Sequence, residues 1–134
     1  MKKTGRTKIE ALEEENQLLR EILDRIHEPV SAASRDGKII LFNSELERSE
    51  GTKREDVLGR YEWDAYPNPS ENNFYQQVTK KIIETGRPML QNNVTYQLED
   101  GRLIELLLDS YPFYYKGKLT AVYNIGPNIG QQNE

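Results

Sequence analysis

Apolar residues recur at alternating three- and four-residue steps from Ile9 to Val30. Ile9, Asn16, Leu23 and Val30 occupy heptad position a, and Leu12, Leu19 and Ile26 occupy d. A β-branched residue or Asn at a with Leu at d predicts a parallel two-stranded coiled coil. Asn16 is the informative member, because a lone buried Asn lowers stability while fixing register and strand number. The flanking charges agree: Lys8 would meet Glu13 of a second copy, and Glu15 would meet Arg20. The expected dimer interface is therefore Ile9, Leu12, Asn16, Leu19, Leu23 and Ile26. The competing reading is one amphipathic helix packed on its own domain, since Leu18 and Ile22 widen the stripe. Glu28-Pro29 should end the helix, because the residue before Pro resists the α conformation.

Shorter patterns follow. Residues 29–34 form a first strand, Asp36-Gly37 a tight turn and residues 38–42 a second strand. Asn43 caps a short helix that Gly51 ends. Thr52 with Glu55 forms a capping box for another, which Gly59 stops. Residues 61–70, YEWDAYPNPS, are aromatic and broken by two prolines, which predicts an ordered loop or helical turn. Phe74, Val78 and Ile82 mark the main helix over residues 72–85, closed by Gly86 and Pro88. Three strands complete the chain, over residues 94–98, 102–111 and 119–125, with turns at Asp100-Gly101 and Lys116-Gly117. The longest is apolar on both faces: Ile104, Leu106 and Leu108 on one, Leu103, Leu107 and Tyr111 on the other. The second apolar face needs a cover, and the heptad helix, folded back or supplied by a second copy, is the expected one.

The order β-β, short helices, long helix, β-β-β resembles the PAS fold, with the opening SRDGKIILFNSELERSEGTKREDVLGR carrying most of the likeness. The similarity spans residues 23–125, with turn glycines at Gly37, Gly101 and Gly117 where that family places them. It implies an α+β domain: a five-stranded antiparallel sheet with short helices and one long helix on one face, preceded by the coiled-coil helix. The expected organisation is a basic N-terminus over residues 1–8, a helix over 9–28, a PAS domain over 29–125 and a linker over 126–134. A narrower likeness lies in EGTKREDVLGR, AYP and IIETGRPMLQNNVTY. These resemble the N-terminal sensory PAS domain of bacterial sigma-54-dependent transcriptional regulators of the arginine-utilisation type. The resemblance implies sensing of a small polar metabolite, with DNA, ATP and RNA polymerase engaged only through domains outside this chain. Where many PAS domains end in Asp-Ile-Thr, this chain has Asn124-Ile125-Gly126-Pro127, which points to output through the front helix instead.

PAS domains hold ligands between sheet and long helix, and the tyrosines gather there: eight of them against three phenylalanines, a polar choice of aromatic. The expected ligand-binding residues are Asn43, Tyr61, Trp63, Tyr66, Tyr75, Tyr96, Ser110 and Tyr123, with Tyr111 and Asn124 close by. The competing reading places each tyrosine across the surface, ring inward and hydroxyl outward.

Composition narrows the chemistry. With no cysteine, the thiol–flavin reaction, an iron–sulfur cluster and a disulfide framework all lack their ligands. The single histidine, His27, lies on the front helix rather than the long helix from which PAS haem ligands come. No zinc spacing, GxSxG elbow or P-loop occurs, and the acidic residues read as solvated carboxylates on turns and helix faces. The expectation is a non-enzyme without cofactor. Net charge is −4, with Lys2, Lys3, Arg6 and Lys8 at the front and an acidic remainder, which disfavours nucleic-acid binding by the globular part. No membrane span or secretory signal is expected, and the location expected is cytoplasmic. A ligand-free PAS dimerisation module of a transcription regulator or histidine kinase is the alternative reading of function.

Overall fold

The computed structural model describes residues 6–66 and 73–129. The front of the basic N-terminus, the proline end of the aromatic loop, the first residue of the long helix and most of the tail lie outside the described residues. The elements run α1 (Lys8–Arg25), β1 (Val30–Ser34), β2 (Ile39–Phe42), α2 (Ser44–Glu50), α3 (Arg54–Val57), α4 (Glu62–Ala65), a π-helical stretch (Tyr75–Thr79) continuing into α5 (Lys80–Thr85), then β3 (Met89–Gln97), β4 (Leu103–Tyr115) and β5 (Lys118–Ile125). The five strands form one antiparallel sheet in the order β2-β1-β5-β4-β3. The first and last strands therefore meet at its centre, and both ends of the domain leave from one region.

Strand parity sets the two faces. Ile104, Leu106, Leu108 and Ser110 of β4 are buried, and Leu103 is 70% exposed on the other side. The inward face packs on Leu46, Val57, Ala65, Phe74, Val78 and Ile82 from the helices. The outward face carries Tyr111 stacked on Tyr123 at 5.3 Å, with Leu107 nearby and partly exposed.

α1 differs from expectation in two respects. It ends at Arg25, three residues early, and Ile26 is already extended at φ −73°, ψ 136°. Val30, expected in the heptad, is a buried residue of β1. One cause is Asn43, whose Nδ2 donates to the Leu23 carbonyl, the acceptor that a further helical turn would give to His27, and to the Glu28 carbonyl beyond it. Second, α1 does not fold back over the sheet. It has no buried residue, and it touches the domain at α2. Its start is set by a capping box between Thr7 and Glu10.

The Thr52–Glu55 capping box is not made. Lys53 caps α3 with no side-chain bond, because the Thr52 hydroxyl donates to Glu50 instead, and Glu47 accepts from the Arg54 amide. β3 starts at Met89, earlier than expected, because a bulge around Gln91 (φ 53°) carries its pairing across to Ser110, and β4 runs to Tyr115 because its far end pairs with β5 as far as Lys118.

After β5 the backbone lies almost on its neighbour. A Cβ on Gly126 would stand 1.9 Å from the Leu107 carbonyl oxygen. Gly126→Ala should therefore destabilise by about 1–3 kcal/mol through a forced backbone shift, read by chemical denaturation. An unchanged midpoint would show that the strand end moves freely.

Candidate functional site

The interior holds two carboxyls where the sequence reading expected only solvated ones. Glu50 ends α2 and Glu62 begins α4, and they are 0% and 3% exposed. Helical spacing turns them in: Glu50 lies one turn after buried Leu46, and Glu62 lies one turn before buried Ala65 and Tyr66. That spacing was the signal available in the sequence. Tyr96 of β3 donates its hydroxyl to Glu50 Oε2, and Thr52 donates to Oε1 at 3.1 Å. Thr79, in the π-helical stretch, donates to Glu62 Oε1 at 2.6 Å.

Burial dominates the protonation of both. It raises Glu50 to about 7 against the opposing hydroxyls of Tyr96 and Thr52 and the charge of Arg102. It raises Glu62 to about 8, with Thr79 opposing. The Tyr66 and Tyr96 hydroxyls are pushed well above their usual range, by burial first and then by the field of Glu50. An acid kept neutral at neutral pH can donate a hydrogen bond as well as accept one.

The expected ligand residues separate into four groups. Tyr66 and Tyr96 do come together in the interior, with ring centroids 4.8 Å apart and Phe74 edge-on to Tyr96 at 5.4 Å. Ser110 and Asn124 also face inward, but they bond to each other and to Ser31, in a row across β4, β5 and β1. Asn43 is buried and fully engaged: its Oδ1 accepts from Val30 and Leu46, and its Nδ2 donates to Leu23 and Glu28.

The fourth group lies outside the core, contrary to expectation. Tyr61 stacks on Trp63 at 4.6 Å, and Trp63 meets Tyr75 edge-on at 4.9 Å, over Gly37 of the first turn. They are drawn there because Gly37 leaves room that a Cβ would fill, 2.6 Å from the Trp63 ring. Tyr123 is on the outward face because its neighbours Val122 and Asn124 take the inward positions.

Between sheet and helices, the space bounded by Ser31, Leu46, Glu62, Tyr66 and Tyr96 is only about 10 Å³, at the lower limit for one water. Ligand-sized room exists outside it. A groove of about 490 Å³ runs between α3 and the β3–β4 turn, with Val57, Tyr66 and Leu98 among its walls and Arg60 and Arg102 beside them. Arg60 pairs with Glu99 at 3.0 Å, and Arg102 with Asp100 at 2.8 Å. Thr52 lines the groove and touches Glu50, which puts the buried acid one side chain behind the groove wall. Among the described residues, no group of three or more acidic or imidazole side chains is placed to hold a metal.

A family model described as the PAS fold matches residues 17–123. No curated protein matches the chain significantly. Among solved structures, the PAS domain of an HTR-like protein from Haloarcula marismortui is similar at 17% identity and TM-score 0.62, over 91% of this chain and 98% of that one. The Rhodobacter sphaeroides LOV protein is similar at 15% identity and TM-score 0.69, over 89% and 69%. A chain of the E. coli DhaR(N)–DhaL complex is similar at 16% identity and TM-score 0.63, over 87% and 38%. At these identities the likeness is one of fold. The family model covers most of the chain, and the strand order and helix placement agree with it: this chain belongs to the PAS family.

Proposed function

We propose that this PAS domain is the signal-input module of a bacterial transcriptional regulator of the sigma-54-dependent type. In this reading it pairs with a second copy through α1 in the cytoplasm and responds to a small polar effector. The observation that carries the proposal is the state of α1. Its first four heptad positions are open to solvent, Ile9 at 68% exposed, Leu12 at 54% and Leu19 at 50% with Asn16 between them, and only Leu23 at its base is partly covered. An apolar stripe left in water, with complementary charges beside it, has its natural cover in the same stripe of another copy. No described helix is long and apolar enough to cross a membrane.

For the effector, the support is the groove, whose volume falls in the usual range for small ligands. The nearly filled interior favours a second reading, a PAS module that only dimerises or docks a protein partner. A neighbouring fold in a two-protein complex is consistent with that alternative.

Two measurements divide these readings. Sedimentation equilibrium should show a dimer, and Leu12→Glu with Leu19→Glu should leave a folded monomer, weakening association at least a hundredfold. A wild-type monomer at high micromolar concentration would end the α1 proposal. In a thermal-shift screen of polar metabolites, a compound at a hundred times its Kd should stabilise by about 2.7 kcal/mol. A dimer that no compound stabilises would leave the ligand-free reading.

A further inference from the structure

α2 is seven residues long, yet it holds both routes out of the domain. At its start, Asn43 Nδ2 donates to the Leu23 carbonyl at 2.9 Å and the Glu28 carbonyl at 3.0 Å. The Ser44 amide donates to Asp24 Oδ1 at 3.0 Å, and Arg54 clamps the joint, bonding to Asp24 and Ser44 at 3.1 Å each. These bonds tie α2 to the base of α1. At its other end, the Ser49 carbonyl accepts from Asn128 Nδ2, on the segment leaving β5. The residue after Ser49 is Glu50, pointing into the core.

Glu50 meets hydroxyls from three directions: Tyr96 on β3, Thr52 after α2 and Tyr66 after α4. The cation that acts on it is Arg102, at the start of β4, whose guanidinium lies against Gly51 and is half exposed. Glu62 of α4 faces Thr79 of the π-helical stretch, and the charges of both carboxyls act on Tyr66 and Tyr96. Neither acid has an ion-pair partner among the described residues.

We propose that Glu50 and Glu62, with Tyr66 and Tyr96, form a proton-operated latch, and that α2 carries its state to the base of α1 and to the chain leaving β5. With both carboxyls neutral, α2 and α4 stay seated on the sheet. When the protons pass to bulk water, two like charges remain in an interior that compensates them poorly. The last turn of α2 then gains hydration by moving outward. Because Asn43 and Ser49 stand at opposite ends of one short rigid helix, that movement strains the bonds to Leu23, Glu28 and Asn128 together. This goes beyond the effector reading: it names an input that needs no ligand.

The test is an NMR titration of the full chain from pH 5.5 to 9.5, without added metabolite, in a His27→Gln background so that the single imidazole contributes nothing. Glutamate side-chain carbons report the two carboxyls directly, with midpoints expected at about 7 and about 8. Backbone amides of α2, of Leu23 to Ile26 and of Asn128 should shift with the same midpoints. Glu50→Gln should abolish the shift at the base of α1. Asn43→Ser, which keeps the cap but shortens the reach to Leu23 and Glu28, should leave α2 titrating while the shifts at the base of α1 shrink to what the Ser44–Asp24 bond and the Arg54 clamp still carry. The proposal is overturned if the α1 amides stay flat while the carboxyls titrate, if they move unchanged in Glu50→Gln, or if both carboxyls titrate near 4.5. Since the carboxyl titration needs only the His27→Gln background, a failure of Glu50→Gln to fold does not protect the idea.

Discussion

Asn43→Ala is expected to cost about 4–6 kcal/mol of folding stability, far more than a helix cap alone. Loss of an N-cap costs about 1 kcal/mol. Here the same oxygen also serves the Val30 amide at 2.9 Å, on β1, which pairs with the central strand β5. Leaving that buried donor without a partner adds about 1–3 kcal/mol. The Nδ2 bonds to Leu23 and Glu28 are lost as well, each contributing about 1 kcal/mol where water enters imperfectly. Asn43→Asp separates the contributions. It keeps the acceptor for Leu46 and Val30 but turns a carboxylate toward two carbonyls, so it should recover part of the loss and no more. Urea denaturation of the three proteins at one pH decides the matter. A loss below about 1 kcal/mol for the alanine variant would reduce Asn43 to an ordinary cap.

The contrast between Asn43 and the acids shows what a linear reading can reach. Its capping role was legible because a cap is local: Asn43 and Leu46 are three residues apart. Its bonds to Leu23 and Glu28 depend on where the chain twenty and fifteen residues earlier comes to rest, and no local rule states that. The strands were legible for the same reason as the cap. Alternation along Ile104, Leu106, Leu108 and Ser110 is a property of one strand, and those four do share the inward face. Applied to β5, the same alternation turns Tyr123 outward once Val122 and Asn124 are inward, which removes it from the interior set. Trp63, Tyr61 and Tyr75 gathered over Gly37 through tertiary contact, which composition alone does not locate. Glu50 and Glu62 escaped because charged residues are rarely fully buried. Only their one-turn spacing from Leu46 and from Ala65 and Tyr66 marked them.

Glu62→Gln is expected to remove much of the loss of stability that the protein undergoes as pH rises above neutrality. The folded protein holds this acid at about 8 against an ordinary 4.5, because burial penalises its charge. A folded-state value above the unfolded one means stability is complete below about pH 4.5 and is lost as pH rises through about 8. At about 1.36 kcal/mol per unit, that difference corresponds to a ceiling of about 5 kcal/mol, of which relaxation and water entry leave on the order of 2–4. Glu50, raised to about 7, acts in the same direction over a lower window. The acids held below their ordinary range oppose it only at low pH: burial pushes Asp24 up, but Arg54 and the Ser44 amide overcome it, so its contribution is complete before the window opens. Glutamine keeps the acceptor for Thr79 and carries no charge at any pH. The variant should therefore be about equal to wild type at pH 5 and more stable by about 2–4 kcal/mol at pH 8.5. Urea denaturation at pH 5, 6.5 and 8.5 gives the comparison, and two curves that stay parallel across that range would show that Glu62 ionises in the folded protein at no cost.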